Sequence, residues 1–270
     1  MVIVRFQGGL GNQMFQYAFY KSLQYFGKKV KADISMYQNY LKHNGFELTS
    51  IFGVDIDLVQ NEEIIFYTTM KYKLNGKTYY FLKIFSENTT NFIPEVFEVD
   101  NIYFNGYWQS EKYFKQIATE IKKTFKIELK EDKKNSDLLD IIQNTNSVSV
   151  HIRLGDYVNE ERTRNIHYVC DLNYYKKAIN YIETKVKNPI YFVFSNEIDK
   201  VKEKLNLPNA FFIDWNVGKD SYKDLILMSN CKHNIIANSS FSWWGAYLNG
   251  NADKIVITPK KWLRTEKEEH

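Results

Sequence analysis

From residue 148 to residue 258 the chain alternates short β-branched and aromatic runs with segments of helical periodicity, and this alternation narrows the fold more than any other feature. Strands are predicted at 148–153, 190–194, 210–213, 233–237 and 254–258, with helices near 173–187, 197–206, 220–231 and 241–248 between them. Parallel neighbours need a crossover, and a helix is the usual one. A β-α repeat of this length therefore specifies a parallel sheet covered on both faces.

The other end of the chain opens in the same manner. Residues 2–6 (VIVRF) are followed by Gln7-Gly8-Gly9-Leu10-Gly11-Asn12, and then Phe15, Phe19, Leu23 and Phe26 fall on one helical face until Gly27. Residues 29–34 alternate again, so strand, glycine turn, helix and strand form a βαβ unit. Between 40 and 130 the pattern is irregular, with a polar tract over 86–91 and a helix predicted over 111–125. The charged stretch 131–147 marks a change of composition. Two domains are expected, 1–140 and 141–270, as Rossmann-like α/β halves facing each other across a cleft, with the ligand at the carboxyl ends of the strands.

A chain of 270 residues with 44% hydrophobic content can fill two cores of that size. No apolar run approaches the roughly 20 residues of a membrane helix, and Met1 to Arg5 lead into a glycine turn rather than the apolar stretch of a leader, so a chain that starts inside a soluble fold is expected. A net charge of +4 suits an acidic small ligand and weak peripheral attraction to an anionic membrane face, without demanding nucleic acid. Cys170 and Cys231 lack metal or disulfide spacing, which points to the reducing cytoplasm. The Asn-x-Ser/Thr triplets at Asn88 and Asn238 are then chance matches.

Three segments carry chemistry. In VSVHIRLGDY (148–157), period-two alternation puts Val148, Val150 and Ile152 on one face and Ser149, His151 and Arg153 on the other. Arg153 then stands at the strand's carboxyl end, where a planar, permanently charged fork suits a phosphate; the alternative is an internal ion pair with Asp156. In HNIIANSSFSWWGAYL (233–248), a strand runs through Asn238-Ser239-Ser240 into a helix whose start offers hydroxyls and N–H groups to an anion, although a serine there can equally be a plain N-cap. Trp243 and Trp244 read as core. The loop from Gly8 to Gln13 matches neither GxGxxG nor a P-loop; its glycines suit a tight turn, and Asn12 and Gln13 add donors.

These segments, GGLGNQMFQYA (8–18), GYWQSEKYF (106–114), HIRLGDYV (151–158) and NSSFSWWGAYL (238–248), closely resemble the α-1,2-fucosyltransferases of glycosyltransferase family 11. The resemblance spans nearly the whole chain in the right order. It implies a GT-B-like fold, shared with protein O-fucosyltransferases and α-1,6-fucosyltransferases, and transfer of fucose from GDP-L-fucose to a galactose-terminated oligosaccharide or lipid-linked glycan, with inversion and without a metal or other cofactor. It implies further that Arg153 grips the diphosphate with Asn238, Ser239, Ser240 and Phe241. Gly9 and Asn12 would approach the donor from the other half, and Asn12, Gln13, Trp108 and Gln109 would meet the acceptor. The chain departs from many relatives at Leu154, where they carry a second Arg, and at Asn196-Glu197, where they often carry two Asp.

Catalysis would then rest on Arg153, with His151 and, less well placed, Asp156 as candidates for a general base. Two rival readings start from other residues. Asp55-Ile56-Asp57 spells the DxD of metal-dependent GT-A transferases, and Trp108, Trp243 and Trp244 suit an inactive carbohydrate-binding module.

Overall fold

Val2, Ile3 and Val4 are fully buried, and they make β1 (Val2–Arg5) the central strand of the first sheet. Gly8, at φ +81°, turns the chain into α1 (Leu10–Tyr25), which returns it to β2 (Val30–Asp33), parallel to β1 with Val2 opposite Val30 and Arg5 opposite Asp33. Phe15, Phe19 and Leu23 are buried as their spacing predicts. Phe26 is not: it is 44% exposed, because α1 closes one residue earlier. Gly27, at φ +80°, donates to the Gln24 carbonyl and Lys28 to the Leu23 carbonyl, a Schellman ending that only a residue at ease in the left-handed region accepts.

The computed structural model describes residues 1–38, 43–75, 77–87, 91–129, 132–153, 170–205 and 207–263. They fall into two compact units, Met1–Lys126 and Ile127–His270. The division precedes the expected one at 140/141, because Leu129, Leu138 and Ile142 are built into the core of the second unit.

In the first unit the chain continues through α2 (Leu48–Phe52), α3 (Asn61–Thr68), an antiparallel hairpin of β3 (Thr69–Leu74) and β4 (Lys77–Leu82), then β5 (Ile84–Ser86), β6 (Tyr103–Asn105) and α4 (Ala118–Thr124). The sheet order is β2-β1-β6-β5, parallel throughout. The helix expected over 111–125 is broken: two 3₁₀ turns, Glu111–Tyr113 and Lys115–Ile117, precede α4 because Phe114 sits at φ −133°. That excursion sends Tyr113 and Phe114 into an aromatic core with Phe19, Phe104 and Trp108.

The second unit runs α5 (Lys133–Asn144), β7 (Asn146–Ile152), α6 (Leu172–Lys185), β8 (Pro189–Ser195), α7 (Ile198–Lys204), β9 (Ala210–Ile213), α8 (Tyr222–Asn230), β10 (His233–Ile235), α9 (Ser240–Leu248) and β11 (Val256–Ile257). Its sheet is β11-β10-β7-β8-β9, again all parallel. Val148, Val150 and Ile152 pack with Tyr175, Ala178 and Ile182 of α6, while Phe192 and Phe194 face the layer of Leu138, Ile142, Leu227 and Met228. Each such side chain contributes about 1.5–3 kcal/mol by leaving water.

The strand order has one consequence for function. The chain lays down β7, β8 and β9 outward in one direction, then returns to place β10 and β11 on the other side of β7. The helices that follow these two strands, α6 after β7 and α9 after β10, pack on opposite faces of the sheet, and an open parallel sheet binds its ligand at the crevice such a reversal creates.

Candidate functional site

At that crevice the structure brings together two segments 85 residues apart. β7 ends at Ile152 with Arg153 immediately after it, and the Tyr175 hydroxyl fixes the strand end by donating to the His151 carbonyl at 3.1 Å. Ser149 faces away from the α6 layer and its hydroxyl accepts from Asn234 Nδ2 of β10 at 2.7 Å. One residue pair further on, the His151 ring lies 6.0 Å from Phe241, in the first turn of α9. The expected alternation holds, and it carries the His151 face to the start of that helix.

The approach to α9 is built from the inside. Ile236 and Ala237 are buried, and the Tyr174 hydroxyl donates to the Ile236 carbonyl at 2.7 Å. Asn238 is buried; its Oδ1 lies 3.7 Å from Cys170 Sγ, and its Nδ2 donates to the Trp262 carbonyl at 3.0 Å. Ser239 is the N-cap, extended at φ −137° and ψ 124°, and its side chain makes no capping bond. The hydroxyl that a plain N-cap would spend on the helix is thus not spent there. Ser242, three residues after the N-cap, is fully buried, and its hydroxyl is shared between the carbonyls of Ala237 and Ser239. Trp244 is core, as expected, while Trp243 stacks on Tyr247 at 4.8 Å.

Electrostatics separate the two polar residues of the β7 end. His151 is buried, and burial followed by the neighbouring Arg153 charge pushes its pKa down to about 3. Its Nδ1 is buried with no hydrogen-bond partner among the described residues. An imidazole that stays neutral from pH 4 upward is a weak proton acceptor, so this environment argues against His151 as a general base. Arg153 is partly buried at the crevice. Asp156 and Leu154 lie outside the described residues.

In the first unit, the residues expected around the glycine loop part company. Gly8 is required by close approach as well as by φ: a Cβ there would stand 2.5 Å from Asn12 Nδ2. Gly9 is the N-cap of α1. Gln13 is fully buried, its Nε2 donating to the carbonyls of Gly8 (3.1 Å) and Gly45 (2.8 Å) and its Oε1 accepting from the Glu47 amide (2.9 Å). Such an amide is committed to tying loops together and has nothing left for an acceptor sugar. Gln16, which lies in the same segment but was given no role there, does the same between Gln7 and Gly106. Asn12 and Gln109 are brought together, Gln109 Nε2 donating to Asn12 Oδ1 at 2.7 Å.

Trp108 is fully buried, stacked 4.4 Å from Phe19, so it offers no face to a sugar. The aromatic that reaches solvent in that segment is Tyr107, at 44%. Beside them Glu87, at the end of β5, accepts from the Tyr107 and Trp108 amides at 2.7 and 2.9 Å. Asp55 and Asp57 are exposed, and the Asp57 carbonyl accepts from Ala32 at the outer edge of β2. They belong to a segment that runs along the outer edge of β2. Among the described residues no three His, Cys, Asp or Glu side chains form a metal-holding group.

Sequence reasoning also missed a buried polar lattice behind β9. Asn216 Nδ2 donates to Asn135 Oδ1 (3.0 Å) and Asp224 Oδ1 (2.8 Å), Asn135 Nδ2 donates to Asp132 and Asn216, and Trp215 Nε1 donates to Asn135. Burial pushes the Asp224 pKa up to about 7, against the Asn216 hydrogen bond. Asparagines so far apart in sequence give no signal of meeting.

The family described as Glycosyl transferase family 11 matches residues 77–270. An alpha-1,2-colitosyltransferase of Escherichia coli is 35% identical over 98% of this chain and 93% of its own length. The O-antigen biosynthesis glycosyltransferase WbnK, also of Escherichia coli, is 35% identical over 95% of this chain and 93% of its own length. Rat galactoside alpha-(1,2)-fucosyltransferase 2 is 26% identical over 90% of this chain and 65% of its own length. Among solved structures, the fucosyltransferase NodZ from Bradyrhizobium superposes with a TM-score of 0.52 at 13% identity, covering 91% of each chain, a likeness of GT-B-like fold.

Proposed function

Given that the chain belongs to glycosyl transferase family 11, we propose that it transfers L-fucose from GDP-β-L-fucose to the 2-hydroxyl of a terminal galactose, forming an α-1,2 linkage with inversion and without a metal. The observation that carries this reading is the meeting of the β7 end, through His151 and Phe241 at 6.0 Å, with the start of α9 at the reversal point of the second sheet, Arg153 being the residue that follows β7 there. A diphosphate needs a fork of donors and the positive end of a helix dipole, and a guanidinium next to the β7 end beside the start of α9 would supply both.

The donor is β-linked and the product α-linked, so one in-line displacement inverts the anomeric carbon. The acceptor oxygen bonds to that carbon as its bond to the β-phosphate oxygen breaks, and GDP leaves with the electron pair. Negative charge accumulates on the phosphate while the sugar becomes oxocarbenium-like. Arg153, the Ser239 hydroxyl and the amides of the first turn of α9 stabilise the departing charge, with Asn238 and Phe241 shaping their surroundings. In the first unit, Asn12 and Gln109 orient the acceptor. With His151 held neutral by its surroundings, the acceptor proton passes to solvent or to a phosphate oxygen as the carbon–oxygen bond forms.

A second donor is favoured by one observation. A relative 35% identical over nearly the whole chain is named a colitosyltransferase, so a GDP-linked deoxy sugar related to fucose is the alternative substrate. The chain is incubated with GDP-fucose or GDP-colitose and a panel of galactosides, in excess EDTA, and the products are resolved by mass spectrometry and NMR. The expected product is an α-1,2-fucosylated galactoside formed at an undiminished rate. Transfer that disappears in EDTA and returns with manganese would establish the DxD reading instead, and calorimetry showing sugar binding without GDP binding would establish a lectin.

A further inference from the structure

Glu87 belongs to no motif, yet it meets the one loop of the first unit that carries a proposed acceptor contact. Its Oε2 receives two consecutive amides, Tyr107 at 2.7 Å and Trp108 at 2.9 Å. Trp108 sits at φ +55°, a left-handed backbone that a bulky residue holds only when its surroundings require it. Gly106 lies flush against Glu87: a Cβ there would stand 2.6 Å from the Glu87 Cβ and 2.9 Å from Oε2. The Gly106 carbonyl is held from the other side by Gln16 Nε2 at 3.1 Å. Directly after this constrained turn comes Gln109, paired with Asn12 at 2.7 Å. Burial of the carboxyl works against its ionisation while the two amides work for it, so the group is committed to this turn.

We propose that Glu87 is a positioning residue for the acceptor: its carboxylate clamps the Gly106–Gln109 turn in a left-handed conformation and thereby sets Gln109 against Asn12. This rests on the acceptor role proposed for that pair. A carboxylate is suited to the task because one oxygen accepts both amides with charge assistance. An amide oxygen in the same place accepts them more weakly but in the same geometry.

The test compares E87A, E87Q, G106A and Q109A in the full chain. E87A is expected to raise the acceptor KM by roughly tenfold, the effect of losing a charge-assisted pair of hydrogen bonds. GDP affinity by calorimetry should change less than about twofold, since one clamp in the other unit is worth little to the diphosphate. E87Q should stay within a few-fold of the parent, and G106A should reproduce E87A by displacing the carboxylate. In the double variant E87A/Q109A the two effects should not add, because Glu87 acts through Gln109. An unchanged acceptor KM in both E87A and G106A overturns the proposal. So do additive effects, and so does a loss of kcat in E87Q at normal KM, which would make the carboxylate a proton acceptor. Amide hydrogen exchange at Tyr107 and Trp108 gives a readout without substrate: E87A should accelerate it. Should the parent transfer sugar to no galactoside, the functional reading falls while the exchange result still decides the clamp.

Discussion

At the scale of single residues, the proposed chemistry rests on Arg153. A charge-assisted contact that strengthens as the leaving group departs is worth about 2.7–4 kcal/mol, so Arg153→Ala is expected to lower kcat at least roughly 100-fold. Arg153→Lys should recover little of it, because an ammonium lacks the two parallel donors. Pre-steady-state measurement of the transfer step, alongside GDP affinity, checks both. Its place directly after β7 was legible because alternation along the strand fixes which side chains share a face, and the structure keeps that alternation from Val148 to Ile152. Trp108 was misread for the opposite reason. After β6 the left-handed turn at Trp108 breaks the alternation, so the indole is buried and its neighbour Tyr107 faces solvent. No period-two rule survives a positive φ.

Among elements, α1 is the one on which the first unit is assembled. Its two buried glutamines reach outward as braces: Gln13 holds the Gly8 and Gly45 carbonyls and the Glu47 amide, and Gln16 joins Gln7 to Gly106. Gln13→Ala would strand those groups away from water, at a cost of about 1–3 kcal/mol for each that finds no new partner. Lowered thermal midpoint with GDP affinity retained is the expected result, read by calorimetry with and without nucleotide. A loss of acceptor affinity at full stability would restore Gln13 to the binding role its motif suggested. The helix itself was readable from Phe15, Phe19 and Leu23, and the strands of the second sheet from their apolar runs, since the inner ones, β7, β8 and β10, are buried on both faces. Strands of three residues, such as β5 and β6, and the 3₁₀ turns after Ser110 carry too few positions for a period to emerge. Strand order is not periodic at all, which is why the crevice could be expected but its two flanking strands had to be seen.

For the molecule as a whole, two buried groups oppose each other across the acid range. His151 titrates at about 3 in the fold against an ordinary value of 6.5, so the unfolded chain takes up its proton first and stability falls as pH drops below 6.5. Asp224 titrates at about 7 against 3.8, so the fold holds its proton longer and stability falls as pH rises from 4 towards 7. Between about pH 4 and 6.5 the two slopes have opposite sign and largely cancel. Asp224→Asn keeps the acceptor for Asn216 and removes the titration, so its melting temperature should exceed the parent's at pH 8 and fall more steeply than the parent's between pH 6.5 and 4. Parallel curves for the two proteins would mean that Asp224 does not carry a raised pKa.

The return of the chain to set β10 beside β7 also governs how the site comes into being. Ser149 and Asn234 stand 85 residues apart in the chain, with β8 and β9 in the loop between them. Contacts of such sequence separation form late and slowly. A nucleotide that needs both strand ends recognises only the finished sheet, so it should leave the folding rate nearly untouched and slow unfolding instead, shielding the completed chain from proteolysis in proportion to its concentration over Kd.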